Sequence, residues 1–198
     1  MEGETIPMKK MLWLDGERAD GRSIPISPGS ALWRGRGWFE TVAVVGGEAL
    51  NLSAHLQRLF CSAPDFPISH KKIIEELSIM AQEWGNDPGR LKFVVWEEDE
   101  KIRQASWIRE LQPPTSDQYE RGIELSVESK FRPPRWPLQN EKRTSYAGVI
   151  EARNRTDSWG VLYTNLDGRV WECGIANFFW WDGNSLRFPP RDDQILVG

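Results

Sequence analysis

The chain has 198 residues, of which 39 % are hydrophobic and 27 % charged, with a formal net charge of −4. That length buries a real core, in one large domain or two small ones, and the balance is that of an ordinary globule. The acidic excess supplies no basic field, which argues against nucleic acid or an anionic membrane as the main partner.

Met1 to Lys10 is polar. Met11-Leu12-Trp13-Leu14 predicts a short strand, stopped by the Asp15-Gly16 turn, and Ser27 to Ser30 reads as loop. The β-branched run Thr41–Val45 predicts a strand, which Gly46-Gly47 turns into a second over Glu48–Leu52. Ser53 is the expected N-cap of a helix reaching Ala63, with Leu52, Leu56, Leu59, Phe60 and Ala63 on its apolar side. His55 and Arg58 lie three apart on that helix and share a face. Taken alone, His55 reads as a structural histidine and Arg58 as a solvated surface residue. The guanidinium fork of Arg58 also matches a phosphate and keeps its charge at any working pH. His70, at the start of the next helix, has no evident partner.

Lys71–Trp84 is amphipathic through Ile73, Ile74, Leu77 and Met80, and Gly85 ends it. Leu91–Trp96 predicts a strand and Ile102–Glu110 its return, with the charged stretch 97–101 as a solvated hairpin tip. Pro113-Pro114 and the polar residues around them mark a linker. Gly122–Lys130 alternates apolar Ile123, Leu125 and Val127 with polar neighbours, the pattern of a half-buried strand. Arg132 to Pro137 reads as a rigid loop. Thr144–Trp159 carries Val149, Ile150 and Ala152 at helical spacing. Val161–Leu166 and Arg169–Glu172 form a hairpin about Asp167-Gly168, and Asn177–Trp181 with Leu186–Phe188 form another. The resulting division is a small N-terminal α/β domain over 1–111, a linker over 112–121 and the start of a larger domain over 122–198.

Cys61 and Cys173 have neither metal-ligand spacing nor a disulfide framework and are expected to be buried free thiols. No His, Cys, Asp and Glu cluster has ligand spacing, so no metal is expected. Eleven tryptophans fit a packed interior or an aromatic-lined pocket. With neither a secretory pattern nor a run long enough to span a bilayer, a cytoplasmic protein is the default expectation.

Two motifs carry the chemistry. Gly37-Trp38-Phe39-Glu40-Thr41 precedes a glycine hairpin and His55-Leu56-Gln57-Arg58-Leu59. Lys142-Arg143-Thr144-Ser145-Tyr146 precedes the Asp167-Gly168 hairpin, Glu172 and Asn177-Phe178. A lone lysine, glutamate or helical tyrosine would ordinarily be read as surface or core. In this order and spacing they resemble the class IV aminotransferases, over most of the chain from about Leu12 to Gly198.

That resemblance implies a two-domain α+β protein of the D-amino acid aminotransferase-like fold (fold type IV), with pyridoxal 5'-phosphate at the domain junction. Lys142 is then the Schiff-base lysine and the proton carrier at the substrate α-carbon. Arg58 contacts the cofactor phosphate, Glu172 the pyridine nitrogen and Tyr146 the ring oxygen. Such a lysine must be neutral to condense, so its surroundings must lower its pKa. The implied reactions are amino transfer from an amino acid to a 2-oxo acid, or the lyase reaction that splits 4-amino-4-deoxychorismate. The implied assembly is a homodimer.

The pattern departs from the family in places. Gly29-Ser30 stands where Asp-Arg is common, Gly35-Arg36-Gly37 replaces Gly-Asp-Gly, and Ile175 replaces a small polar residue. Gln194 to Gly198 resembles Ile-Leu-Pro-Gly, which in the family runs on into a phosphate-binding helix. The alternative expectation is therefore a non-catalytic fragment or remnant that lacks that helix and exposes apolar surface.

Overall fold

The computed structural model describes residues 10–19, 23–63, 67–129, 141–145, 147–165 and 167–189. The chain forms two compact units: residues 1–113 with 142–144, and residues 114–141 with 145–198. Lys142, expected in the second domain, therefore belongs to the first unit.

In the first unit, β1 (Lys10–Leu14) and β2 (Glu17–Arg18) form a tight hairpin. Asp15 and Gly16 sit at positive φ in its two-residue turn, the backbone that such a hairpin requires. A single 3-10 turn over Ala31–Arg34, capped by the Ser30 side chain, occupies part of the expected loop. β3 (Gly37–Val45) and β4 (Glu48–Ala49) follow, then α1 (Leu52–Ser62), α2 (His70–Trp84), β5 (Gly89–Glu98) and β6 (Lys101–Glu110). The six strands make one antiparallel sheet in the order β2-β1-β6-β5-β3-β4.

β3 starts four residues earlier than its β-branched run, because its pairing with β5 runs from Gly37 opposite Trp96 to Val44 opposite Gly89. β4 is correspondingly short. Asn51, in the left-handed conformation at φ 53°, turns the chain directly into α1, so Ser53 lies inside the helix and does not cap it.

Strand alternation sorts the sheet into two faces. Trp38, Val42 and Val44 join Leu91, Phe93, Val95 and Ile108 on the face covered by the helices. Leu52, Leu56 and Leu59 of α1 meet that face, as do Ile73, Leu77, Met80, Ala81 and Trp84 of α2. Trp38 and Trp84 are buried on this face and Trp96 on the opposite one, whereas Trp33, Trp159, Trp180 and Trp181 are exposed. Composition alone did not separate these roles. Phe60 and His70 stack at 3.9 Å between ring centroids, which gives His70 its partner.

Two expectations are corrected. Cys61 is exposed, because the helical period turns it away from the Leu52, Leu56 and Leu59 row; Cys173 is buried. Glu98 is not a solvated tip residue. Its buried carboxylate accepts from the Ser27 N–H, the Trp96 indole and Arg103, which ties the loop before β3 to the sheet.

In the second unit, α3 (Ser116–Arg121) occupies much of the expected linker. Thr115 and Gln118 bond each other's backbone in a capping box, a signal masked by the neighbouring prolines. β7 (Leu125–Ser129), α4 (Ala147–Asn154), β8 (Gly160–Thr164) and β9 (Val170–Cys173) follow. β7 and β8 pair in parallel and β8 and β9 antiparallel. α4 is half the expected length, since Thr156 and Ser158 bond backbone carbonyls locally and divert the chain toward β8. Ala152, Val161 and Tyr163 form a small core. The last hairpin contracts to β10 (Trp180–Trp181) and β11 (Leu186–Arg187), with Phe179, Trp181 and Phe188 exposed. Tyr146, Arg132 to Pro137 and Gln194 to Gly198 lie outside the described residues.

Gly89 begins β5 where a Cβ would stand 2.7 Å from the indole nitrogen of Trp84 and 2.9 Å from Ile108. Trp84 is locked by burial and by its bond to the Asp87 carbonyl. Gly89→Ala is therefore expected to cost about 1–3 kcal/mol through overpacking, measurable by urea unfolding. An unchanged midpoint would refute the close packing described.

Candidate active site

On the helix-covered face of β3 the sequence alternates Trp38, Glu40, Val42, Val44, and Glu40 is the one charged member of that row. Its residue is 0 % exposed. A buried carboxylate must be paired and hydrogen-bonded to stay charged. Arg58 donates Nε to Oε1 at 2.6 Å and Nη2 to Oε2 at 2.7 Å, a bidentate fork. His55 Nδ1 lies 2.9 Å from the same Oε2. Both side chains flank the apolar stripe of α1, one turn apart, so one helix delivers both partners. This is where His55 finds its role: it holds a buried side chain, not the nearby backbone.

The third partner arrives from far along the chain. Residues 142–144 lie beside the start of β3 as a short antiparallel bridge. The Phe39 N–H donates to the Lys142 carbonyl, and the Thr144 N–H donates to the Gly37 carbonyl, both at 2.9 Å. The Gly37 N–H donates to Thr144 Oγ1 at 3.1 Å, and the Arg143 guanidinium lies 4.9 Å from the centre of the Trp38 ring. This bridge sets Lys142 Nζ 3.5 Å from Glu40 Oε2. Lys142 therefore lies in an extended bridge and does not open a helix; α4 begins five residues later.

The electrostatics follow from burial and neighbours. Burial works to raise the Glu40 carboxyl pKa, but the bonds from Arg58 and His55 and the charge of Lys142 outweigh it and hold the group below its ordinary value of 4.5. Burial pushes the Lys142 ammonium below its ordinary 10.5; Glu40 opposes that shift and Arg58 adds to it. The Arg58 pKa is raised, chiefly by its bonds to Glu40. On the other face of the sheet Lys92 Nζ stands 4.2 Å over the Phe39 ring, its pKa lowered by burial and by Arg90, Lys142 and Arg109.

Two of the expected site residues, Arg58 and Lys142, thus meet at one buried carboxylate. Glu172 lies in the second unit on β9, half-buried, opposite Tyr163 of β8. Tyr146 lies outside the described residues. Glu40, the carboxylate at which Arg58 and Lys142 meet, was not among the expected site residues. The signal for Glu40 was present as a charged residue at an inward position of an apolar alternation.

Residues 37–198 match the family model of amino-transferase class IV. The chain belongs to the class IV aminotransferases. Among solved structures of this fold, the PLP-bound form of a hypothetical aminotransferase from Mycobacterium tuberculosis aligns with a TM-score of 0.79 at 23 % identity, over 96 % of this chain and 74 % of that one. A branched-chain aminotransferase from Thermoproteus uzoniensis with norvaline gives 0.77 at 21 %, over 95 % and 70 %. A putative 4-amino-4-deoxychorismate lyase from Legionella pneumophila gives 0.78 at 22 %, over 90 % and 71 %. No curated protein matches the chain. The fold is the α+β fold type IV of these enzymes. Among the described residues no group of His, Cys, Asp and Glu is placed to hold a metal ion, and no helix is long and apolar enough to cross a membrane.

Glu40→Ala leaves a guanidinium and an imidazole facing an apolar hole, and is expected to cost about 3–5 kcal/mol in urea unfolding. The folded chain holds the Glu40 proton less tightly than the unfolded chain does. Its contribution is full above about pH 4.5, the ordinary value, and is lost as pH falls through the lower folded value. Thermal unfolding of Glu40→Gln should consequently lose less stability than the wild type on acidification below pH 4.5. Parallel pH curves for the two would contradict a depressed carboxyl.

Proposed function

We propose that the chain is a pyridoxal 5'-phosphate-dependent class IV enzyme that transfers the amino group of an amino acid to a 2-oxo acid. The observation that carries this reading is the pairing of a largely enclosed lysine, its pKa pushed down by burial, with a guanidinium at the same buried carboxylate. The donor set fits the cofactor: an amine biased toward its neutral form for the aldehyde, and an obligate cation for the phosphate. When bound, the cofactor supplies an electron sink for the carbanion formed at the substrate α-carbon.

The roles divide by chemistry. Lys142 Nζ would hold the cofactor's aldehyde carbon and is the group placed to take the substrate α-proton and return it. Arg58 would hold the phosphate. Glu172 is assigned to the pyridine nitrogen, where a carboxylate keeps that nitrogen protonated. Tyr146 is assigned a hydrogen bond to the ring oxygen. A cytoplasmic homodimer is the proposed working form.

The second reaction is cleavage of 4-amino-4-deoxychorismate to 4-aminobenzoate and pyruvate. The likeness to the putative lyase from Legionella pneumophila favours keeping it beside amino transfer. The two separate experimentally, because cleavage releases pyruvate without an acceptor and amino transfer requires a 2-oxo acid.

Purified protein incubated with pyridoxal 5'-phosphate should develop a visible band. Borohydride should then fix the label on the peptide containing Lys142, and Lys142→Ala should abolish both. Label scattered over surface lysines, or no band, would favour the alternative in which the chain keeps the fold without working as an enzyme. Glu172→Gln should retain the Lys142 label but lower turnover by about 10²–10³-fold, the range for removing one electrostatic stabiliser of developing charge. Wild-type turnover in that variant would remove Glu172 from the site.

A further inference from the structure

We infer that Glu40 is a positioning residue that orients Arg58 for an anion and tunes Lys142 so that its amine can both accept and return a proton. This rests on the reading of Lys142 and Arg58 as cofactor-binding groups, and it adds a residue that is expected to touch neither cofactor nor substrate.

The argument begins with what Glu40 displaces. Its neighbours on the inward row of β3 are Trp38, Val42 and Val44, all buried against the helices. An apolar residue would continue that row at no desolvation cost, and replacing a buried ion pair with apolar groups often leaves stability unharmed or improved. A carboxylate at 0 % exposure with contacts to three cation-forming side chains is poorly explained by stability alone.

Geometry supplies the alternative explanation. With both Nε and Nη2 bonded to one carboxylate, the guanidinium plane is locked to the plane of Glu40. His55 braces the same arrangement, its Nδ1 lying 2.9 Å from Oε2 and 3.3 Å from Arg58 Nη2. Arg58 is still partly exposed, with 21 % of its side chain reaching solvent. A rigid, partly exposed guanidinium is a pre-organised anion donor, and its ordering cost is met on folding and not on binding.

The second effect is on Lys142. Its Nζ is 3.5 Å from Glu40 Oε2, and it feels two opposed charges. Arg58 drives the amine toward its neutral form, and Glu40 holds it back. Without Glu40, Lys142 would sit beside an uncompensated guanidinium. Its amine would be neutral over a wider range but a poor proton return. A group that must give back the proton it takes works best with a pKa near the operating pH. The carboxylate is thus a counterweight as well as a clamp.

Glu40→Gln keeps the shape of the side chain and removes the charge. Two readouts need no cofactor. The first is the titration of Lys142 by ¹³C reductive methylation and NMR, with the resonance assigned from Lys142→Arg. Its midpoint should move to lower pH in Glu40→Gln; an unmoved midpoint overturns the tuning. The second is the ¹⁵N–¹H signal of Arg58 Nε, which should be sharp and protected in the wild type and lost to exchange in Glu40→Gln. A signal that persists overturns the clamp.

Binding then tests the purpose. Glu40→Gln should weaken pyridoxal 5'-phosphate by about tenfold to hundredfold, the worth of a charge-assisted hydrogen bond, while pyridoxal without its phosphate should change little. An equal loss for both compounds overturns the proposal, because it would mark a general structural defect. If wild-type protein fails to bind pyridoxal 5'-phosphate at Lys142, the cofactor reading fails, and the two NMR signals still decide whether Glu40 fixes Arg58 and Lys142.

Discussion

The first unit depends on one electrostatic constraint: a carboxylate sealed between a β-sheet and the helix that covers it. Burying Glu40 uncompensated would cost several kcal/mol, so the chain must bring cations to it or fold differently. Arg58 and His55 are brought by α1, which is anchored by its own apolar residues at Leu52, Leu56 and Leu59. Hydrophobic packing positions the helix, and the ion cluster then fixes its rotation, because only one face carries both partners. The cation over which the fold has least local control is Lys142, about a hundred residues from Glu40 in sequence.

Backbone pairing solves that delivery. The bridge of 142–144 against Gly37–Phe39 uses main-chain hydrogen bonds, which are indifferent to side-chain identity, to place one side chain at 3.5 Å. Gly37 matters here for lack of a side chain. A Cβ would stand 2.5 Å from Leu32 and 3.0 Å from Thr144, so the close approach of the two segments relies on that glycine. A side chain placed this way inherits the rigidity of the sheet edge.

Much of this was legible in the sequence. Strand alternation and helical spacing gave five of the six antiparallel strands, all but Glu17–Arg18, and both long helices of the first unit, and the two motifs pointed to Arg58 and Lys142. The misses have a common cause. Ser53 failed as a cap because a tight turn through Asn51 set the helix start. Glu98 was assigned to solvent because its partners, Ser27 and Arg103, lie on separate segments. α3 was hidden because composition around Pro113 and Pro114 outweighed the Thr115 and Gln118 capping box. In each case a local backbone turn or a hydrogen bond between particular groups overrode a pattern averaged over a window.

Glu40 shows how such a miss arises at a buried ion cluster. It violates the apolar alternation of β3, and a reading that scores alternation treats it as noise. Local rules are broken where something else is gained, so an inward-pointing charge in an otherwise regular strand is itself a signal. Its meaning cannot be read from β3 alone, since two partners lie on α1 and another a whole domain's length along the chain. The two motifs single out the cations Arg58 and Lys142. The anion that holds them is recovered only when burial, distance and charge are considered together.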